Sequence, residues 1–195
     1  MSQNAIVLDL ETQKTFHEVG RTNLHKLKVS VVGTYDYAVH QYRIYEESEI
    51  MALEERLKSA ELIVGFNIRR FDFYVLEPYL FTSIETFPVL DLLEEIEKVR
   101  GHRVSLQSVA QATLGTAKSG QGLDAVTFYQ EGRIEELKRY CLNDVRITKE
   151  IYEYGRLNNC VYFISNRDWK KYEIPVAWNG AASVKKDVIF PTSLF

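Results

Sequence analysis

The chain has 195 residues, a net charge of −3 at neutral pH, and 46 % hydrophobic and 26 % charged residues. Those proportions exclude disorder, collagen-like repetition and low complexity as its main state. The slight acidic excess excludes a polycation that coats nucleic acid by bulk charge, but not an enzyme with a local basic groove. The only two cysteines, Cys141 and Cys160, exclude a disulfide scaffold and suit a reducing compartment.

In chain order, residues 5–10 (AIVLDL) predict a buried strand, apolar but for one aspartate. Residues 12–25 predict a polar loop of a length often tied to function. Residues 27–37 and 40–45, rich in Val, Tyr and Ile, predict two further strands of a meander. Ser48 is expected to cap a helix over 49–59, where Ile50, Leu53 and Leu57 fall at i, i+3 and i+7. A short strand follows at 61–67, a helix at 71–80 ending near Pro78, and a brief strand at 87–91. Asp91 with Glu94 predicts a capping box for a helix over 92–100. A helix over 105–114 is closed by Gly115, residues 116–124 form a glycine-containing loop, and the longest helix is expected over 133–154. From Asn166 the chain is less periodic and reads as an extended segment. The expected organisation is a domain over 1–165 and a C-terminal extension over 166–195 that wraps it.

This order predicts an α/β chain around one mixed sheet. No apolar run approaches the ~20 residues of a membrane helix, and the N-terminus lacks the basic region of a leader. The expected location is cytoplasmic, with no membrane partner.

The placement of carboxylates points to chemistry. Asp9 interrupts an apolar strand, and Glu11 at i+2 leaves the same strand face. Asp72 sits among large apolar residues in FDFYVL. In the long helix the apolar stripe runs through Ile134, Leu137, Cys141, Val145, Thr148 and Tyr152; Asp144 lies beside it, with Tyr140 one turn earlier. A buried carboxylate costs several kcal/mol, roughly, unless it is compensated. A single one has a bland reading, an aspartate bonded to backbone N–H groups. Four, spread over three apolar contexts, instead suggest hard oxygen ligands converging on Mg²⁺ or Mn²⁺.

These residues resemble a family. Asp9-Leu-Glu11 is similar to the Asp-x-Glu motif of the DEDD superfamily of 3′→5′ exonucleases. Asn67-x-x-x-Phe71-Asp72 resembles its second motif, and Tyr140-Cys-Leu-Asn-Asp144 its third, in the Tyr-x-x-x-Asp form of the DEDDy subgroup. Arg139 stands where the histidine subgroup has His. The segments DLETQKTFHEVG, VSLQSVAQATLG and YCLNDV resemble the YprB-like group of predicted 3′→5′ exonucleases, a likeness spanning residues 5–155. The resemblance implies a ribonuclease H-like fold, with an antiparallel meander, then parallel strands, and helices on both faces. It also implies phosphodiester hydrolysis with two divalent cations, Mg²⁺ or Mn²⁺, held about 3.5–4 Å apart by Asp9, Glu11, Asp72 and Asp144. Tyr140 would orient the attacking water, since a phenol with a pKa of ~10 is a poor base. Asn67 and Phe71, in the second motif, would meet the terminal nucleotide; for Asn67 a plain turn role stays open.

Phe16 is a candidate for stacking on a base, its alternative being a loop anchor. Lys118 is a candidate for a phosphate contact, its alternative a solvated surface lysine. The expected substrate is single-stranded DNA, with RNA trimming or a nuclease-fold binding module recruited by a polymerase, helicase or clamp as the competing readings. The ending through Pro191, Thr192, Ser193, Leu194 and Phe195 resembles the bacterial sliding-clamp peptide, with a fold-back onto the chain's own surface as the alternative.

Overall fold

A computed structural model describes residues 4–116 and 122–180. Lys118 and the clamp-like residues Pro191 to Phe195 lie outside the described residues. Five strands form the main sheet in the order β3-β2-β1-β4-β5, namely β1 (Ala5–Thr12), β2 (Val29–Asp36), β3 (Gln41–Glu46), β4 (Leu62–Gly65) and β5 (Val89–Asp91). The first three pair antiparallel, and β4 and β5 run parallel to β1. This is the mixed sheet the sequence predicts.

The period of two along β1 divides the core. Ile6, Leu8 and Leu10 pack against α2 (Ile50–Lys58) and α3 (Asp72–Leu76). Ala5 and Val7 face the other layer, which holds α4 (Leu92–Arg100), α5 (Leu106–Leu114) and α7 (Ile134–Asn158). Asp9 and Glu11 continue the Ala5–Val7 parity, so alternation alone aims them toward α7. That helix approaches unusually closely at Gly33 of β2, where a Cβ would stand 2.9 Å from both Cys141 Sγ and Val145 Cγ2.

Several expectations are corrected. The 12–25 loop carries a helical turn, α1 (Phe16–Val19), and a 3₁₀ turn, Leu24–Lys26. Ser48 caps nothing; it lies in a 3₁₀ turn, Glu47–Glu49, whose capping box is formed by Glu46 and Glu49. The loop expected over 116–124 yields its end to α6 (Gly122–Gln130), which the sequence does not announce because burial of Ala125 and Val126, not periodicity, holds it. After the long helix the chain forms a hairpin of β6 (Cys160–Ile164) and β7 (Lys171–Pro175), where the sequence suggests an irregular segment from 166. Trp178 then lies buried on Gly155 of α7, whose missing side chain leaves room for the indole. Among the described residues no helix is long and apolar enough to cross a membrane.

Candidate active site

Four carboxylates meet around one cavity, and each arrives for a local structural reason. β4 pairs with β1 only through Ala5, Ile6 and Val7. Beyond that point the chain leaves β4 and turns into α3, and the Asp72 carboxylate takes the place of a partner strand by accepting the Leu10 N–H at 3.1 Å. The crevice therefore opens at the carboxyl ends of the parallel strands, where α/β sheets commonly bind ligands. On the opposite side α7 lies on β1, with the Cys141 thiol donating to the Asp9 carbonyl at 3.6 Å. One turn further, Asp144 is set over the same strand face.

The cavity has a volume of about 390 Å³ and is lined by Asp9, Glu11, Asp72 and Asp144. Lys14, Thr15 and Phe16, on the segment after β1, and Phe66 and Phe71, before α3, also line it. Glu11, Asp72 and Asp144 are buried, and Asp9 is half-buried. Burial, reinforced by the charge of Asp91, pushes the Asp72 carboxyl up to about 7, against the opposing pull of its own backbone N–H and, less strongly, of the Leu10 N–H. Ligand atoms of Asp9, Glu11 and Cys141 lie within 4.8 Å of one another. The buried Cys141 thiol is pushed well up, first by burial and then by the negative charges of Asp9, Glu11 and Asp144. Hard oxygen donors from three elements, with the proton affinity of Asp72 raised by burial, are a donor set that fits a divalent cation such as Mg²⁺ or Mn²⁺.

The remaining candidates divide. Phe16 and Phe71 both line the cavity, their rings 5.9 Å apart and tilted by 55°. Tyr140, although one turn before Asp144, lines a second hollow of about 240 Å³ with Asp124, Phe128, Glu136 and Arg139, and its ring meets Phe128 edge to face at 6.4 Å. Asn67 does not line the cavity. It holds a left-handed turn (φ 72°), its side-chain oxygen accepts from Arg103, and its N–H donates to Asp91.

Three features lie outside the sequence reading. Asp91, expected to form a capping box with Glu94, accepts from the Leu93 and Glu94 N–H groups as a plain cap, the Glu94 carboxylate meeting Arg69 and Arg70 instead; Asp91 also accepts from the Asn67 and Arg69 N–H groups, fixing the turn that leads to Asp72. Cys141 fills core space as expected and also adjoins the acidic cluster. Lys14 lines the cavity although nothing in its sequence context marks it.

A family model described as the RNase H superfamily matches residues 6–156. No curated protein matches the chain. Among solved structures, the family B DNA polymerase of the hyperthermophilic archaeon Pyrobaculum calidifontis is similar, with a TM-score of 0.59 and 16 % identity over 77 % of this chain. The likeness covers 24 % of the polymerase chain, so this chain spans about a quarter of that protein and shares a fold with it.

Proposed function

Because the chain belongs to the RNase H superfamily, we propose that it is a metal-dependent nuclease and, more narrowly, a 3′→5′ exonuclease of the DEDDy type acting on single-stranded DNA. The observation that carries this reading is the convergence of Asp9, Glu11, Asp72 and Asp144, from β1, α3 and α7, on one cavity. These four would hold two divalent cations, Mg²⁺ or Mn²⁺. When bound, such cations lower the pKa of a water and stabilise charge on the phosphate oxygens.

The chain's own residues supply the rest. Asp72 would give up its proton on loading and keep the Leu10 N–H as its anchor. Phe16 and Phe71 offer aromatic faces for a base at the strand end, which is sequence-tolerant recognition. The volume of about 390 Å³ suits a terminal nucleotide with its phosphate better than a continuing duplex, which supports the exonuclease reading. Tyr140 would act from the adjacent turn of α7, its phenol orienting the attacking water. Two free cysteines suit action in a reducing compartment such as the cytoplasm.

Linear and covalently closed circular single-stranded DNA, compared under the same Mg²⁺ conditions, test the polarity. Loss of the linear strand with the circle intact is expected. Nicking of the circle at a comparable rate would replace the exonuclease reading with an endonuclease.

A further inference from the structure

Residues 13–28 (QKTFHEVGRTNLHKLK) carry four cations, Lys14, Arg21, Lys26 and Lys28, against one carboxylate, Glu18, a net of +3 in a chain whose net charge is −3. All four cations are exposed, and none forms an ion pair among the described residues. Elsewhere basic side chains are widely paired, as Arg56 with Asp36 at 2.6 Å, Arg70 with Glu97 at 2.9 Å, and Lys149 with Glu153 at 2.9 Å. The one carboxylate of the segment is occupied at home: Glu18 accepts from the Thr15 N–H at 2.7 Å and the Thr15 hydroxyl at 2.9 Å, closing a capping box.

The segment is also rigidly presented. Its neck is closed by Gln13 N–H donating to the Lys28 carbonyl at 3.0 Å and Lys14 N–H donating to the Leu27 carbonyl at 3.1 Å. The Gln13 amide ties it to Val29 and to Glu47, Asn23 clamps the end of α1 through the Val19 carbonyl, and Leu27 is buried in the core. A loop closed at its neck and packed by its own side chains is a fixed platform. Lys14, Thr15 and Phe16 put one end of that platform on the wall of the acidic cavity. Positive charge that forms no ion pair among the described residues therefore stands beside the place where four carboxylates meet.

We propose that this loop is a clamp for the phosphodiester backbone, with Arg21, Lys26 and Lys28 neutralising phosphates of the strand internal to its end in the cavity while Lys14 and Phe16 meet the end itself. The clamp rests on the nuclease reading for the identity of the strand. It explains how a net-negative chain with an acidic centre holds a polyanion: attraction comes from outside the carboxylate cluster. Each phosphate neutralised releases counterions, so the clamp has a measurable signature in salt dependence.

The test uses the full chain carrying Asp9→Asn, so that strand is bound without being cut. Affinity for a fluorescent 20-nucleotide oligothymidylate is measured in Mg²⁺ across a KCl series. Adding Arg21→Gln, Lys26→Gln and Lys28→Gln should weaken binding about tenfold or more at low salt. It should also reduce the slope of log Kd against log[salt] by about 2, from ~0.7 per phosphate contact for single strands. Removing exposed cations of the β6–β7 hairpin turn instead, Arg167→Gln with Lys170→Gln, neither of which lines the cavity, should leave the slope as it was. The charge-keeping set Arg21→Lys, Lys26→Arg and Lys28→Arg should restore it. An unchanged slope in the loop variant, an equal drop in the hairpin control, or a failed restoration overturns the clamp. Loop-dependent binding by a wild-type chain that cuts no nucleic acid would sink the nuclease reading alone; cutting with coincident slopes would sink the clamp alone.

Discussion

Raising the pH from 5 to 8 in the presence of a chelator should destabilise the wild-type chain and leave an Asp72→Asn variant nearly level over the same interval. Asp72 is 4 % exposed, and its carboxyl is pushed up to about 7 from the ordinary 3.8 of aspartate, by burial first. The folded chain therefore keeps a proton that the unfolded chain releases above pH ~4. A raised folded-state pKa contributes stability that is complete below the unfolded value, declines as the pH rises, and is gone once the pH passes about 7. At ~1.4 kcal/mol per unit, the gap of roughly three units corresponds to about 4 kcal/mol, of which about 3 kcal/mol is lost between pH 5 and 8. For a chain of this length that is a fall in Tm of about 6–12 °C. The side-chain amide of the Asp72→Asn variant can still accept from Leu10 but has no proton to lose in this range, so subtracting its profile removes the background of all other titrating groups. Thermal unfolding followed by circular dichroism at four pH values in excess EDTA is sufficient. Saturating Mg²⁺ should flatten the wild-type profile by supplying the compensating charge. Parallel wild-type and variant profiles in EDTA would refute the account of Asp72.

Other predictions concern the neighbours of that carboxylate. Tyr140→Phe should lower kcat about 10–1000-fold with little change in KM if the phenol orients the attacking water; an unaltered kcat with a lower Tm would make Tyr140 a packing residue of the α6–α7 contact. Gly33→Ala drives a methyl to 2.9 Å from Cys141 and Val145, so a loss of about 1–3 kcal/mol is expected in denaturant melts. Its kcat should fall as well, because α7 carries Asp144; unchanged kcat would show that the site tolerates displacement of the helix. Phe16→Ala, at a side chain 43 % exposed, should weaken binding of a short single strand about 5–150-fold, the worth of one stacked base. Its Tm should stay within about 2 °C, and a larger drop with unaltered binding would make Phe16 a loop anchor.

Much of the sheet and the site was legible because buried charge is costly and therefore informative. Asp9 and Glu11 stand out in an apolar strand, Asp72 in an apolar helix and Asp144 beside an apolar stripe, and the structure gathers all four at one cavity. The long helix was legible from its spacing, the cap at Asp91 from its side-chain chemistry, and the end of α5 from Gly115, which is left-handed there. Helix α6 was not, since it is short, starts at a glycine and depends on tertiary burial of Ala125 and Val126. The hairpin of β6 and β7 was hidden for a similar reason: it forms a sheet of its own and its alternation is interrupted by a polar turn. Long-range contacts such as Asp91 with Asn67, or Cys141 with the Asp9 carbonyl, leave no local trace in sequence, because both partners satisfy ordinary roles where they stand. The clamp-like loop shows the same limit. Its charges are visible in sequence, but that they form no ion pair among the described residues is a property of the folded chain.

The most direct test of the account is a time course with 5′-labelled single-stranded DNA and Mg²⁺ or Mn²⁺, comparing the wild-type chain with Asp9→Asn and with excess EDTA. The account predicts a ladder that shortens nucleotide by nucleotide from the 3′ end in the wild type and is absent from both controls, while the melting profile of Asp9→Asn still shows a cooperative fold. Faster trimming of a matched RNA would keep the metal centre and move the substrate to RNA. Undiminished cleavage in excess EDTA, or by Asp9→Asn, would contradict the claim that the four carboxylates carry hydrolysis through bound cations.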